Sequence, residues 1–91
     1  MNKSELVESI SEKLSLPLRE TSSIMNTIVN TMTESLANGD SIEIRGFGSF
    51  MVKKYPSYCG RNPKTGQKID VPPKKLPFFK VGKELKERVN R

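Results

Sequence analysis

Histidine and tryptophan are absent from this chain, and Cys59 is its one cysteine. Imidazole chemistry is therefore excluded, and so are zinc-finger ligand sets and a disulfide framework within one chain. A lone thiol fits a reducing compartment, where Cys59 reads as incidental unless it cross-links two arms or serves a redox role. No stretch approaches the roughly 20 apolar residues needed to span a bilayer, so no membrane partner is expected. The opening "MNKSELVESISEK" lacks an apolar run followed by a cleavage site, which points to a cytosolic protein. Neither GxxxxGK[ST] nor any nucleophile–base pair can be named, so the chain is read as not an enzyme, with no cofactor, no metal and no small-molecule substrate. Glu8 and Glu12 share a helix face, but without a pocket they are a solvated pair.

Apolar residues are also scarce, at 34% of 91 residues. That is enough for one small domain but thin for a chain that must bury a core alone, so a second chain is expected to help.

What the sequence does have is positive charge, unevenly placed. The net charge is +6, yet residues 1–44 sum to −4 while Lys53 to Lys80 sum to +7, with Asp70 the single acid in that stretch. A basic segment on a mildly acidic base is the electrostatic footprint of a polyanion binder with an oriented face.

Periodicity divides the chain. Asn2 and Glu5 have capping-box spacing, and Leu6, Ile10 and Leu14 repeat at helical spacing, predicting a helix from about Lys3 to Leu14. Pro17 fits the first turn of a second helix, whose Met25, Ile28, Met32 and Leu36 mark one face and which stops at Asn38-Gly39. Its many Ser, Thr and Asn residues have modest helix propensity, so packing must hold it. Residues 1–39 thus form a helical hairpin whose apolar faces await a partner.

After Asp40 the period becomes two: "SIEIR" reads as a strand, Gly46-Phe47-Gly48 as a bend, and "SFMVKKY" as a second strand. A two-stranded ribbon follows from about Tyr55 to Lys75 around Asn62-Pro63-Lys64-Thr65-Gly66, closed by Pro72-Pro73. "LPFFKV" is a third body strand, and Gly82 leads into a short terminal helix. The division is 1–39 for dimerisation, 40–54 and 75–81 for the body sheet, 55–74 for the arm and 82–91 for the last helix.

With "GFGSF" at Gly46–Phe50, "GRNPKTG" at Gly60–Gly66, and Pro77, Phe79, Gly82, Lys83 and Leu85 in step behind them, the whole chain resembles the HU and integration host factor family of bacterial DNA-bending proteins. "IEIRGFGSF" and "KELKERVN" look most like the integration host factor beta subunit, whereas the short tail looks like HU. The resemblance implies an α+β fold: an intertwined dimer, homodimer or heterodimer with a related subunit, sharing a core of the helices with Phe47, Phe50 and Phe79. It also implies double-stranded DNA as partner in the bacterial nucleoid, with each arm in the minor groove and Pro63 wedged between base pairs. Arg61, Asn62 and Lys64 flank that wedge. Lys53, Lys54, Lys68, Lys74, Lys75, Lys80, Lys83 and Lys86 would follow the phosphates, the last helix adding backbone N–H donors near Lys83. Lys3 is added on the resemblance alone, and Arg45 matches a residue that aids site selection in the beta subunit.

Plainer readings stand beside these. Pro63 is by itself an ordinary turn former, and Gly46 and Gly48 are explained by turn geometry, although exposed N–H groups there could hold a phosphate. Phe47, Phe50, Phe78 and Phe79 read as packing residues rather than base platforms. Tyr55 and Tyr58, where the family usually has basic or polar residues, either pack across the ribbon or touch bases or sugars. A site-selective bending cofactor and a general RNA or polyanion binder that does not bend remain the alternatives.

Overall fold

Asn2 starts the first helix as its spacing requires: its side-chain oxygen accepts the Glu5 N–H at 2.9 Å, satisfying one of the donors that a helix start leaves free. The computed structural model describes residues 1–91. Two units are distinguished, Met1–Ser35 and Leu36–Arg91.

The first unit holds α1 (Lys3–Leu14) and most of α2 (Leu18–Ala37). Pro17 lies one residue before α2 rather than within its first turn, and its carbonyl accepts both the Thr21 N–H and the Thr21 hydroxyl, at 3.0 and 3.1 Å. Thr21 is buried at 2% exposure, so that bond removes the cost of leaving its hydroxyl unpaired. Thr27 and Thr33 likewise turn their hydroxyls back to the Ser23 and Val29 carbonyls, which pairs these groups within the helix without adding to its stability.

Val7 is the one buried apolar residue of the chain, while Leu14, Leu18, Ile24 and Ile28 are each about half exposed or more. Ile10, Leu14, Leu16, Ile24, Met25 and Ile28 line an open apolar groove of about 200 Å³ in this unit. Burying one such side chain fully is worth about 1.5–3 kcal/mol, so this much open apolar surface cannot be the finished core.

The second unit carries β1 (Ile42–Ile44), β2 (Gly48–Tyr55), β3 (Tyr58–Arg61), β4 (Lys68–Val71), β5 (Lys74–Val81) and α3 (Lys83–Val89). A three-stranded antiparallel sheet has the order β1-β2-β5, and β3 and β4 form a separate two-stranded sheet. In the larger sheet Phe50 pairs with Phe79 and Val52 with Pro77, which places these four on one face. Phe79 gathers the others, with its ring 4.8 Å from that of Phe50 and 5.4 Å from that of Phe47. Phe78 pairs with Met51 on the reverse face and stands apart from the cluster.

The body ladder runs one pair further than the sequence division places it, to Tyr55 opposite Lys74. It stops there because Pro56 follows on one strand and Pro73 precedes on the other, and neither has an N–H to continue the ladder.

Candidate nucleic-acid interface

The arm begins beyond those prolines. Its register is Tyr58 with Val71, Cys59 with Asp70, Gly60 with Ile69 and Arg61 with Lys68. Residues 62–67 close the end, and Asn62 organises them. Its N–H donates to the Gln67 carbonyl at 2.9 Å, its carbonyl accepts the Gly66 N–H at 2.7 Å, and its side-chain oxygen accepts the Lys64 N–H at 2.9 Å. Three bonds from one residue thus clasp the loop on both sides of Pro63, whose ring has no donor to contribute and is left exposed. Asn62 builds the tip instead of reaching out from it. Its part was legible in principle, because Asn two residues before a free N–H is a known turn former.

The basic residues are sorted by strand alternation. Lys53, Lys74 and Lys80 share a face of the body sheet with Tyr55, Leu76 and Phe78. Two of these cations lie over rings: Lys53 Nζ is 4.8 Å from the Phe78 centroid and Lys74 Nζ is 5.7 Å from that of Tyr55. Such contacts orient an ammonium group without neutralising it, so its charge stays available to an anion.

Lys54 and Lys75 are paired with one another on the opposite face, the one that carries Phe50 and Phe79. Lys75 Nζ donates to the Ala37 carbonyl at 3.0 Å. It thereby supplies a cation to the carboxyl end of α2, whose last turn has no basic residue of its own. The eight bases from Lys53 to Lys80 are consequently not one continuous stripe.

Around the bend, the Phe47 N–H donates to the Ile44 carbonyl at 2.9 Å and the Gly82 N–H to the Phe47 carbonyl at 3.0 Å, tying the start of α3 to the β1–β2 turn. Gly46 has φ of +84°, and a Cβ there would lie 2.7 Å from Glu84 Oε2. A carboxylate therefore covers this glycine, which is poor ground for a phosphate. Gly48 is buried, and a Cβ on it would meet the Lys80 carbonyl and the Phe79 ring, each at 2.5 Å. An exposed N–H here was one way the sequence could hold an anion; the burial removes that reading and leaves close packing as the reason for glycine. Arg45 is exposed beside the bend, and Lys83 and Lys86, one turn apart, are exposed on α3. Glu84 carried no sequence signal, since it meets Gly46 only through the fold.

Lys3 belongs to the helical unit, where its Nζ donates to Asn26 Oδ1. No groups of three or more cysteine, aspartate or glutamate residues gather where a metal ion could be held. No helix is long and apolar enough to cross a membrane.

The fold and sequence have relatives. The integration host factor subunit beta of Cupriavidus metallidurans is 52% identical over all of this chain and 68% of its own length. That of Paraburkholderia phytofirmans is 51% identical over all of this chain and 86% of its own length. Among solved structures, an HU from Anabaena crystallised with DNA superposes with a TM-score of 0.83 at 36% identity, covering 98% of this chain and 97% of that one. The family described as bacterial DNA-binding protein matches residues 1–90. A fold shared with HU, a sequence shared with integration host factor and a family match from end to end agree: the chain belongs to the bacterial DNA-binding proteins of the HU and integration host factor type.

Proposed function

We propose that the protein is a non-enzymatic architectural factor of the nucleoid that pairs with a second chain, lays its two arms in the minor groove and bends the duplex. The observation that carries this reading is the tip: a loop clasped by Asn62 that leaves the Pro63 ring exposed at the end of a ribbon detached from the body by prolines. A rigid apolar ring replaces part of the stacking that it disrupts, and its fixed φ keeps the turn narrow.

Opening a base step costs a few kcal/mol, and the bend recovers it by bringing the flanks onto cationic protein surface. Lys53, Lys74 and Lys80 on one face of the body sheet, with Arg45, Lys83 and Lys86 at the bend and on α3, are the residues we assign to that surface. Arg61, Lys64 and Lys68 anchor the arm. Lys54 remains at the arm's base, whereas Lys75 acts first as the cap of α2. The open apolar groove of the helical unit and the half-exposed Phe47 and Phe79 are what a second chain would cover.

A second reading concerns the partner. Relatives at 51–52% identity are named as beta subunits, which favours a related but different chain as mate and some selection of sites. Footprinting on mixed sequence separates the two: uniform protection supports a general binder, one protected site a selective one. For the main reading, a short duplex labelled at both ends is titrated with the protein at low salt. Ends that draw together support bending, while saturation at unchanged end-to-end distance leaves a binder that does not bend.

A further inference from the structure

The two ladders keep one register but not one run of hydrogen bonds. Tyr55 stands opposite Lys74 and Tyr58 opposite Val71, and the two pairs between them are missing because prolines occupy both, Pro56 facing Pro73 and Pro72 facing Ser57. A cleft of about 570 Å³ opens at the body end of this gap, lined by Lys54, Tyr55, Pro56, Pro73, Lys74 and Lys75. Three rings and three ammonium groups thus surround it, with no acid among them. Two of these cations stand off the sheet face assigned to the duplex. Lys54 and Lys75 share the opposite face with Pro56 and Pro73, whereas Lys53, Lys74 and Lys80 lie on the assigned one. Lys75 is also held in place, since one of its donors goes to the Ala37 carbonyl while the ammonium group keeps two more to offer.

We propose that this cleft binds a free nucleoside polyphosphate, with the base against the Tyr55, Pro56 and Pro73 rings and the phosphates among the Lys54, Lys74 and Lys75 ammonium groups. The inference goes beyond duplex binding and does not depend on it. A concave site of a few hundred Å³ with apolar walls and a few convergent polar groups is the usual form of a small-ligand site. Charge then selects an anion, because the lining holds three lysines and nothing to oppose them. The rings select what that anion carries: an apolar wall gains nothing from a bare inorganic anion, whose hydration it would strip, but it gains from a flat ring laid against it. Duplex DNA does not meet this demand, since its bases present edges in the grooves and keep their faces stacked on one another. A base outside any stack offers its whole face to Tyr55, which is 41% exposed.

Adenosine triphosphate is titrated into the intact, isotope-labelled protein without nucleic acid, and the backbone amide shifts are followed. They should saturate and centre on Lys54, Tyr55, Lys74 and Lys75. Inorganic tripolyphosphate, which has the charge without the base, and adenosine, which has the base without the charge, should each bind about tenfold more weakly or worse. Tyr55→Ala and the surface change Lys54→Gln should each weaken binding by about fivefold or more, while Lys13→Gln, which removes the same charge from α1, should change it by less than about twofold. Tripolyphosphate or adenosine binding as well as the nucleotide, shifts that never saturate or that centre elsewhere, or Lys54→Gln and Lys13→Gln behaving alike would each overturn the assignment. A short oligoadenylate binding more than about tenfold tighter than the mononucleotide would give the cleft to single-stranded nucleic acid and overturn it too.

Discussion

The body ladder and the arm are both antiparallel pairs of strands, but they are held together by different means. β2 and β5 match over eight pairs, and the Phe50–Phe79–Phe47 cluster packs on one of their faces. β3 and β4 match over four, with no side chain of the arm buried. Pro56, Pro72 and Pro73 interrupt the hydrogen bonding between the two ladders, so the arm gains little from the order of the body. On the function proposed above, the body supplies stability and the arm is the part assigned to deforming the duplex. The aromatic cluster lies in the body, whereas the arm, with four pairs and no buried side chain, has the features that go with low local stability.

Substitutions in the two regions should therefore separate into two kinds. The largest effect is expected from Phe79→Ala, which removes the ring that joins the other two and should cost about 3–5 kcal/mol in urea unfolding, with loss of pairing between chains. Gly48→Ala should follow, at about 3 kcal/mol, because the new methyl group meets a backbone carbonyl that cannot swing aside. Either change leaving stability intact would break the comparison from the body's side.

Smaller and opposite in kind is Asn62→Ala. It should shift unfolding by less than about 0.5 kcal/mol, yet reduce bending of an end-labelled duplex, because the side-chain bond to the Lys64 N–H, the one of the three that alanine cannot make, is lost. A large loss of stability would mean that the arm contributes to the folded body after all.

Finest of the set is the contrast between Lys53→Gln and Lys75→Gln. The first should leave stability unchanged and flatten the plot of log affinity against log salt by about 0.9 for each phosphate no longer neutralised, from a slope near −7 for about eight phosphates per dimer. The second should cost about 0.3–1 kcal/mol of stability, since it uncaps α2. Equal behaviour of the two variants would remove the distinction between the two faces of the sheet.

Much of this was legible in the sequence, and particular residues show why. The Lys3–Leu14 helix, the change of period after Asp40 and the tip at Asn62–Gly66 are local, and local spacing and turn chemistry report them directly. Strand alternation could also have sorted the lysines, but only once the register of β2 against β5 was known, and register is a property of two segments together. Pro56 opposite Pro73 follows from that same register. The Lys75 bond to Ala37 and the Glu84 carboxylate over Gly46 join residues 38 apart, where no period or motif signals a contact. Pro17 stands one residue before α2, at the cap, where its carbonyl accepts the first bond of the helix.

The central claim is that the exposed Pro63 ring does the bending while the basic surfaces do the holding. Energy transfer across a short duplex labelled at both ends, compared between the native chain and Pro63→Ala at saturating protein, tests it most directly. The account predicts that the variant still saturates the duplex but leaves its ends farther apart than the native protein does. Equal end-to-end distances for the two proteins would contradict it.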